Sequence, residues 1–292
     1  MNAHSSARPV YVSTNSFQTR DLAAIVSLCA ESRFDALELS ELDGDDLTPL
    51  HGARYPSHVL VHNYFPRATP PFVLNLASRD PVVLKRSREH CRAAIDLSSE
   101  LGGPVYAAHA GYTAELSPEV LGQPDRQAAL PAEVFAPRDV AYATLVESAR
   151  ELARYAHERG MRFLIENHVL AADAGERGFD LLLMVEPSEL KELTRDVDEP
   201  GFGLLVDVGH LKVSATTRGF DAADALIALS PSIGAFHLSD NDGVVDAHAS
   251  FGEDAWFLPA LAEVPDAAIT LELNREPVGR IADVRATVAR WL

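Results

Sequence analysis

The chain has 292 residues, 47% of them hydrophobic, and its 43 acids against 25 bases give a formal charge of −18. That length suits one α/β barrel with a large core, and that charge opposes nucleic-acid backbones and anionic membranes. No apolar run reaches membrane-spanning length and no secretory signal pattern opens the sequence, so a soluble, cytoplasmic protein acting on a small molecule is expected.

Short apolar runs rich in β-branched residues alternate with longer segments of helical period, the pattern of a parallel α/β fold. In chain order, a strand at Val10–Ser13 precedes a helix over Asp21–Glu31 and a strand at Ala36–Ser40. The strand His58–His62 leads to a helix over Pro81–Leu101, with Leu84, Cys91, Ala94 and Ile95 on its apolar stripe. Gly102-Gly103-Pro104 stops that helix before the strand Val105–His109. A helix over Arg138–Arg159, ended by Gly160, is followed by strands at Arg162–Glu166 and Gly203–Asp207. A helix over Asp221–Leu229, strands at Ile233–His237 and Ala268–Glu272, and a helix over Arg280–Leu292 complete the pattern. Eight strands and no linker predict a single (β/α)8 TIM barrel spanning 1–292. Cys29 and Cys91 each lie in a predicted helix and read as reduced thiols. The segments Tyr112–Pro137 and Val169–Pro187 are long for connections that follow barrel strands, and are expected to be lids or substrate walls.

Six predicted strands end on a side chain able to bind metal: His62, His109, Glu166, Asp207, His237 and Glu272. In a barrel the C-terminal strand ends share one mouth, where active sites sit. One such residue alone has a structural explanation, but several carboxylates buried together cost several kcal/mol each unless compensated. Divalent cations are the natural compensation. His210 lies three residues beyond Asp207, and Asp246 and His248 form an Asp-x-His pair after the seventh strand. Nine ligands of mixed imidazole and carboxylate type suit one to three ions of Zn2+, Mn2+, Fe2+ or Co2+ better than Ca2+.

These residues, from His58 to Glu272, resemble the xylose isomerase-like TIM-barrel superfamily, which includes sugar isomerases, epimerases and endonuclease IV. The similarity is carried by His62 with Phe72-Val-Leu-Asn-Leu-Ala-Ser, Leu101-Gly with His109-Ala-Gly, Asp207-Val-Gly-His210, His237-Leu-Ser-Asp, Asp246-Ala-His248 with Gly252-Glu253, and Leu271-Glu272. The resemblance implies three metal groups. His62 and His109 would hold one ion with Glu166 bridging; Glu166, Asp207, His237 and Glu272 a second; His210, Asp246 and His248 a third. The sequence departs from the superfamily at Leu-Glu272-Leu-Asn, where Leu-Glu-Thr-Pro is usual, and at Gly243, where epimerases often carry Arg. The ketose-epimerase Glu that follows the Glu166 position is also missing from Asn167–Ala172.

A divalent-metal-dependent isomerase or epimerase of a sugar, polyol or similar hydroxy-carbonyl compound is expected first. Glu166 and Glu272 would serve as proton-transfer bases, and His210, Arg67 and Arg275 would contact substrate. A multinuclear hydrolase of a small phosphoester, an iron-dependent oxygenase and a catalytically silent binding barrel stay open. Barrels of this kind often pair through surface helices, so a homodimer also stays open.

Overall fold

The computed structural model describes residues 8–52 and 54–292. Eight strands pair in sequence order and close on themselves: β1 (Val10–Ser13), β2 (Ala36–Leu39), β3 (His58–His62), β4 (Val105–His109), β5 (Arg162–Glu166), β6 (Phe202–Asp207), β7 (Ile233–Leu238) and β8 (Ala268–Leu271). All eight pairings are parallel, β8 returning to β1 through Val10 beside Ile269 and Val12 beside Leu271. The main helices cover Leu22–Ser32, Pro81–Glu100, Arg138–His157, Pro187–Val197, Val208–Arg218, Ala222–Leu229 and Val278–Ala289. The crossover from β2 to β3 carries, among the described residues, only the short 3-10 turn Thr48–Leu50. Among the described residues, no helix is long and apolar enough to cross a membrane.

Local chemistry explains the element ends. Asp80 caps the second main helix by accepting from Val82 N at 2.8 Å, with Pro81 in the first turn, where its missing N–H costs nothing. Glu186 and Glu189 form a reciprocal capping box at the start of Pro187–Val197. That helix and Val208–Arg218 were not among the helices expected. The second begins inside the Asp207-Val-Gly-His210 motif, with Asp207 itself as the capping residue.

The pleat decides what faces the axis. Residues such as Leu37, Val61, Phe163, Val206 and Ile269 point to the helices and build the large outer core, each fully buried one contributing about 1.5–3 kcal/mol. The axial layer is thin: Ala36, Leu60, Ala107, Leu164, Leu205 and Ala235 are among its members. Two residues further along those same strands, on the same parity, come Glu38, His62, His109, Glu166, Asp207 and His237. One pleat therefore separates an apolar plug from a polar ring.

The two long loops are ordered about a core of their own. Val73 from the loop after β3, Tyr112 and Ala114 from the loop after β4, and Leu170, Leu181, Leu182 and Val185 from the loop after β5 form a third apolar cluster. Thr113 N donates to Leu181 O at 2.9 Å across it. Asn75, in the loop after β3, ties that loop to the one after β4, donating to Tyr112 O at 3.1 Å and accepting from Tyr112 N at 2.9 Å. Gly111, at φ 136°, makes that approach possible: a Cβ there would stand 2.8 Å from Asn75 Oδ1 and 2.9 Å from Ala77 N.

Candidate metal centre

At the mouth of the barrel, Glu166 is the hub. It is 1% exposed. Its Oε2 lies 3.3 Å from His62 Nε2 and 3.2 Å from His109 Nε2, and its Oε1 lies 3.7 Å from His210 Nδ1 and 3.8 Å from His237 Nδ1. On the β7 side, His237 Nδ1 stands 2.9 Å from Glu272 Oε2. Glu272 sits one residue beyond β8, its N held by Leu238 O at 3.1 Å, so β8 is a residue shorter than expected while its last carboxylate still reaches the ring.

Asp207 performs two tasks from one position. Its Oδ1 accepts from His210 N at 2.8 Å, which starts the following helix and swings His210 over the mouth. Asn167, for which strand-end reasoning offers no signal, ties β5 to β6: its Oδ1 accepts from Asp207 N at 2.9 Å and its Nδ2 donates to Asp207 O at 3.1 Å. Gly209 keeps this turn close to β7, since a Cβ there would lie 2.9 Å from Ser239 Oγ.

His210 Nδ1 faces the Asn167 carbonyl at 2.9 Å and His248 Nδ1 faces the Glu272 carbonyl at 3.2 Å. Carbonyls only accept, so both Nδ1 atoms carry a proton. Their Nε2 atoms then converge on one oxygen, Asp246 Oδ2, at 3.1 and 3.0 Å. His248 holds a left-handed φ of 46° to do so, a conformation that costs a non-glycine residue about 1–3 kcal/mol.

The ligand atoms fall into three groups, each with all members within 4.8 Å of one another: His62, His109 and Glu166; Glu166, Asp207, His237 and Glu272; and His210, Asp246 and His248. A fourth group joins Glu38, His62 and His237. The residues fit divalent cations on a direct test. The buried Glu166 Oε2, Asp207 Oδ2, His62 Nδ1, His109 Nδ1 and Asp246 Oδ1 have no hydrogen-bond partner among the described residues. Unpaired carboxylate oxygens buried together, here those of Glu166, Asp207 and Asp246, are costly unless a cation meets them.

The charges interlock. Burial opposes ionisation of Glu166, but His109 and His62 hold its carboxyl well below the usual range. Burial likewise works against Glu272, yet His237 draws it down to about 2. His237 and His210 are driven well above the ordinary imidazole value despite burial, by Glu38 and Glu272 for the first and by Asp207 and Asp246 for the second. His248, also opposed by burial, rises to about 9 through its bond to Asp246. The metal-free fold therefore gains from the His248 proton fully below about pH 6.5, and that gain is lost as pH rises through 9. A bound cation competes with the same protons. Metal loading of chelator-treated protein near pH 7 is expected to release protons, with affinity rising about tenfold per pH unit for each proton displaced. Calorimetric titration in two buffers of different ionisation enthalpy measures this, and zero release would remove His210 and His248 from the ligand set.

Above the ring opens a cavity of about 620 Å3, in the range of small-molecule sites. Glu166, Glu272, His62, His109, His210 and His248 form its floor, and Tyr64, Phe72, Val73, Pro118 and Leu121 give it an apolar wall. The loop after β4 is thus a cavity wall, as expected. Arg67 is on the cavity rim, its Nη1 donating to Asp43 O at 2.9 Å. Arg275 is not brought together with it: it lines an adjoining recess of about 200 Å3 with Arg20 and Glu41. Glu38 is the member of the ring that strand-end reasoning passes over. It stands two residues after Ala36, on the same parity, and an acid at an axial position of an apolar strand is the signal that points to it.

A model of the family described as xylose isomerase-like TIM barrel matches residues 28–292. The chain belongs to that family. Across the family barrel, an uncharacterized protein of Methanocaldococcus jannaschii is 26% identical over 249 residues, 83% of this chain and 74% of that protein. A solved D-tagatose 3-epimerase-like protein superposes with a TM-score of 0.69 at 22% identity, covering 97% of this chain and 96% of its own. An L-ribulose 3-epimerase gives 0.69 at 14% identity over 98% and 94%. A Thermus thermophilus protein soaked with ZnCl2 gives 0.62 at 19% identity over 98% and 99%. At these identities the structural likeness is one of fold.

The ligand groups should be separable. His62→Ala is expected to remove about one ion equivalent while the Asp207, His237 and Glu272 group stays loaded. His248→Ala should remove a different equivalent, because His62 and His248 belong to groups that share no residue. Elemental analysis of both variants and of the double variant checks this; equal and non-additive losses would show one shared ion.

Proposed function

We propose that this chain is a divalent-metal-dependent isomerase or epimerase that moves a proton on a sugar or similar small hydroxy-carbonyl compound. The observation that carries the reading is the layering of the central group. Glu166 and Glu272 face the cavity, whereas Asp207 and His237 lie beneath it, fully buried. Both carboxylates face the cavity and are held ionised in the metal-free protein, so each can accept a proton. The fold neighbours include a D-tagatose 3-epimerase-like protein and an L-ribulose 3-epimerase, which supports the same chemistry.

Glu166, Asp207, His237 and Glu272 would hold the central ion, which would supply Lewis-acid stabilisation of charge developing on the substrate's carbonyl oxygen. Around it, one of the two glutamates takes the proton from the carbon beside the carbonyl. The proton stays on that carboxylate while the electron pair resides on the substrate oxygen. Reprotonation of the opposite face by the other glutamate, once it has taken up a solvent proton, gives an epimer; return of the first proton to the former carbonyl carbon, with the neighbouring hydroxyl proton passing to the former carbonyl oxygen, gives an isomer. The apolar wall excludes water from the reacting carbon, and Asn15, donating to Glu272 Oε1 at 3.5 Å, helps orient that base.

Incubating the metal-loaded protein with a panel of ketoses and aldoses in D2O, followed by proton NMR, tests the reading. Loss of one carbon-bound proton signal with appearance of an epimer or isomer is the expected result; no exchange on any hydroxy-carbonyl compound would sink it. A second reading, hydrolysis of a small phosphoester, is favoured by the groups on either side of the centre, since three neighbouring ions suit that chemistry. Release of phosphate from small esters with three ions per chain would select it.

A further inference from the structure

We propose that Glu38 is the residue that fixes the orientation and tautomer of His237, and so sets the affinity of the central metal site. The inference rests on reading that site as a metal centre and concerns a residue outside its ligand groups as read from sequence. Glu38 is 3% exposed on β2, and among the described residues the cavity wall does not include it. His237 Nε2 lies 3.0 Å from Glu38 Oε1 and 3.2 Å from Oε2, the hydrogen bond being directed at Oε2. Thr270 on β8 donates its hydroxyl to the same Oε2 at 3.0 Å. A carboxylate only accepts, so Glu38 holds a proton on Nε2 and leaves Nδ1 as the nitrogen that can meet an ion. That Nδ1 faces Glu272 Oε2 at 2.9 Å and Glu166 Oε1 at 3.8 Å. Both are acceptors as well. In the metal-free protein Nδ1 therefore carries a proton too, and an ion would take that proton's place at the position the Glu166, Asp207, His237 and Glu272 group surrounds.

The placement follows from the barrel. β2 and β7 are not neighbours, and the small axial residues Ala36 and Ala235 leave room below for the ring to close across the axis. Carboxylates behind metal-bound imidazoles raise the basicity of the ligand, and their loss weakens metal affinity by about 10–100-fold. Glu38 is also grouped with His62 and His237 as a candidate ligand set. His237 can present Nε2 to Glu38 as a donor or to an ion as a ligand, not both, and the bond to Glu38 leaves Nδ1 for the ion.

The test is a competition titration of Zn2+ against a chromophoric chelator, on the full chain and on Glu38→Ala, Glu38→Gln and Thr270→Val. Glu38→Ala should bind the central ion about 10–100-fold more weakly, with the same number of ions at saturation. Glu38→Gln, whose amide oxygen still accepts from Nε2, should recover part of the loss, and Thr270→Val should show a smaller loss in the same direction. In the Zn2+-loaded wild type, nitrogen-15 NMR should place the His237 proton on Nε2 with slow exchange, and Glu38→Ala should lose that protection. Should Glu38→Ala fail to fold, Glu38→Gln and Thr270→Val carry the comparison. Wild-type affinity and an unchanged Nε2 proton in the variants would overturn the proposal while leaving the metal centre intact. Loss of a whole ion equivalent at saturation in Glu38→Gln would also overturn it, making Glu38 a ligand. A wild type that takes up no ion would overturn both this proposal and the metal reading beneath it.

Discussion

Glu166→Gln is expected to lower turnover by about 10²–10⁴-fold, the usual contribution of a positioned proton-transfer group, while the barrel stays folded. Gln keeps the volume and one acceptor oxygen, so the outer core and the axial apolar layer are untouched. What changes is charge. Glu166 is the hub approached by His62, His109, His210 and His237. Its loss leaves those imidazoles without their shared anion, and it removes a base from the cavity floor. Glu272→Gln should act similarly on rate, but it should disturb His237 and His248 rather than His62 and His109. Steady-state rates with far-ultraviolet circular dichroism separate a catalytic loss from an unfolded chain. A Glu166→Gln protein that keeps wild-type turnover would remove Glu166 from the chemistry.

Stripping divalent ions should be the larger perturbation. Loss of transition-state charge stabilisation worth several kcal/mol corresponds to about 10³-fold or more in rate. The effect on stability should be visible as well, because buried acceptors on Glu166, Asp207 and Asp246 are left without a partner. Chelator-treated, desalted protein is expected to lose turnover and to unfold at a lower temperature. Zn2+, Mn2+, Co2+ or Fe2+ added back singly should restore both to different degrees. Full activity after verified removal of every ion would end the metalloenzyme reading.

The fold is largely readable in the sequence because strand parity and strand length are written into short apolar runs. All eight strands agree with expectation to within a residue or so at each end: β2 stops at Leu39 rather than Ser40, β6 begins at Phe202, and β7 runs to Leu238. The ring of site residues is readable for the same reason, since residues ending parallel strands of a barrel must share one mouth. Glu38 escapes a reading of strand ends, because the pleat puts the ring at whichever residue continues the axial parity. The helix Val208–Arg218 escapes because its first turn is Val208-Gly209, poor helix formers held there by the Asp207 cap. Arg67 and Arg275 illustrate the limit of loops. No periodicity constrains where a loop side chain points, and these two lie in different recesses.

The apolar cluster above the mouth has a consequence for how this scaffold can diversify. Its members, Val73, Tyr112, Leu170 and Leu182 among them, pack on one another rather than on the strands. The layer, which lends Val73 and Leu121 to the cavity wall, therefore has a cohesion of its own, apart from the polar groups on the cavity floor. Substitutions at Val73 or Leu121 would recut the cavity while the groups on its floor keep their spacing. The shape of the cavity wall and the polar groups on its floor are, in this molecule, set by different residues.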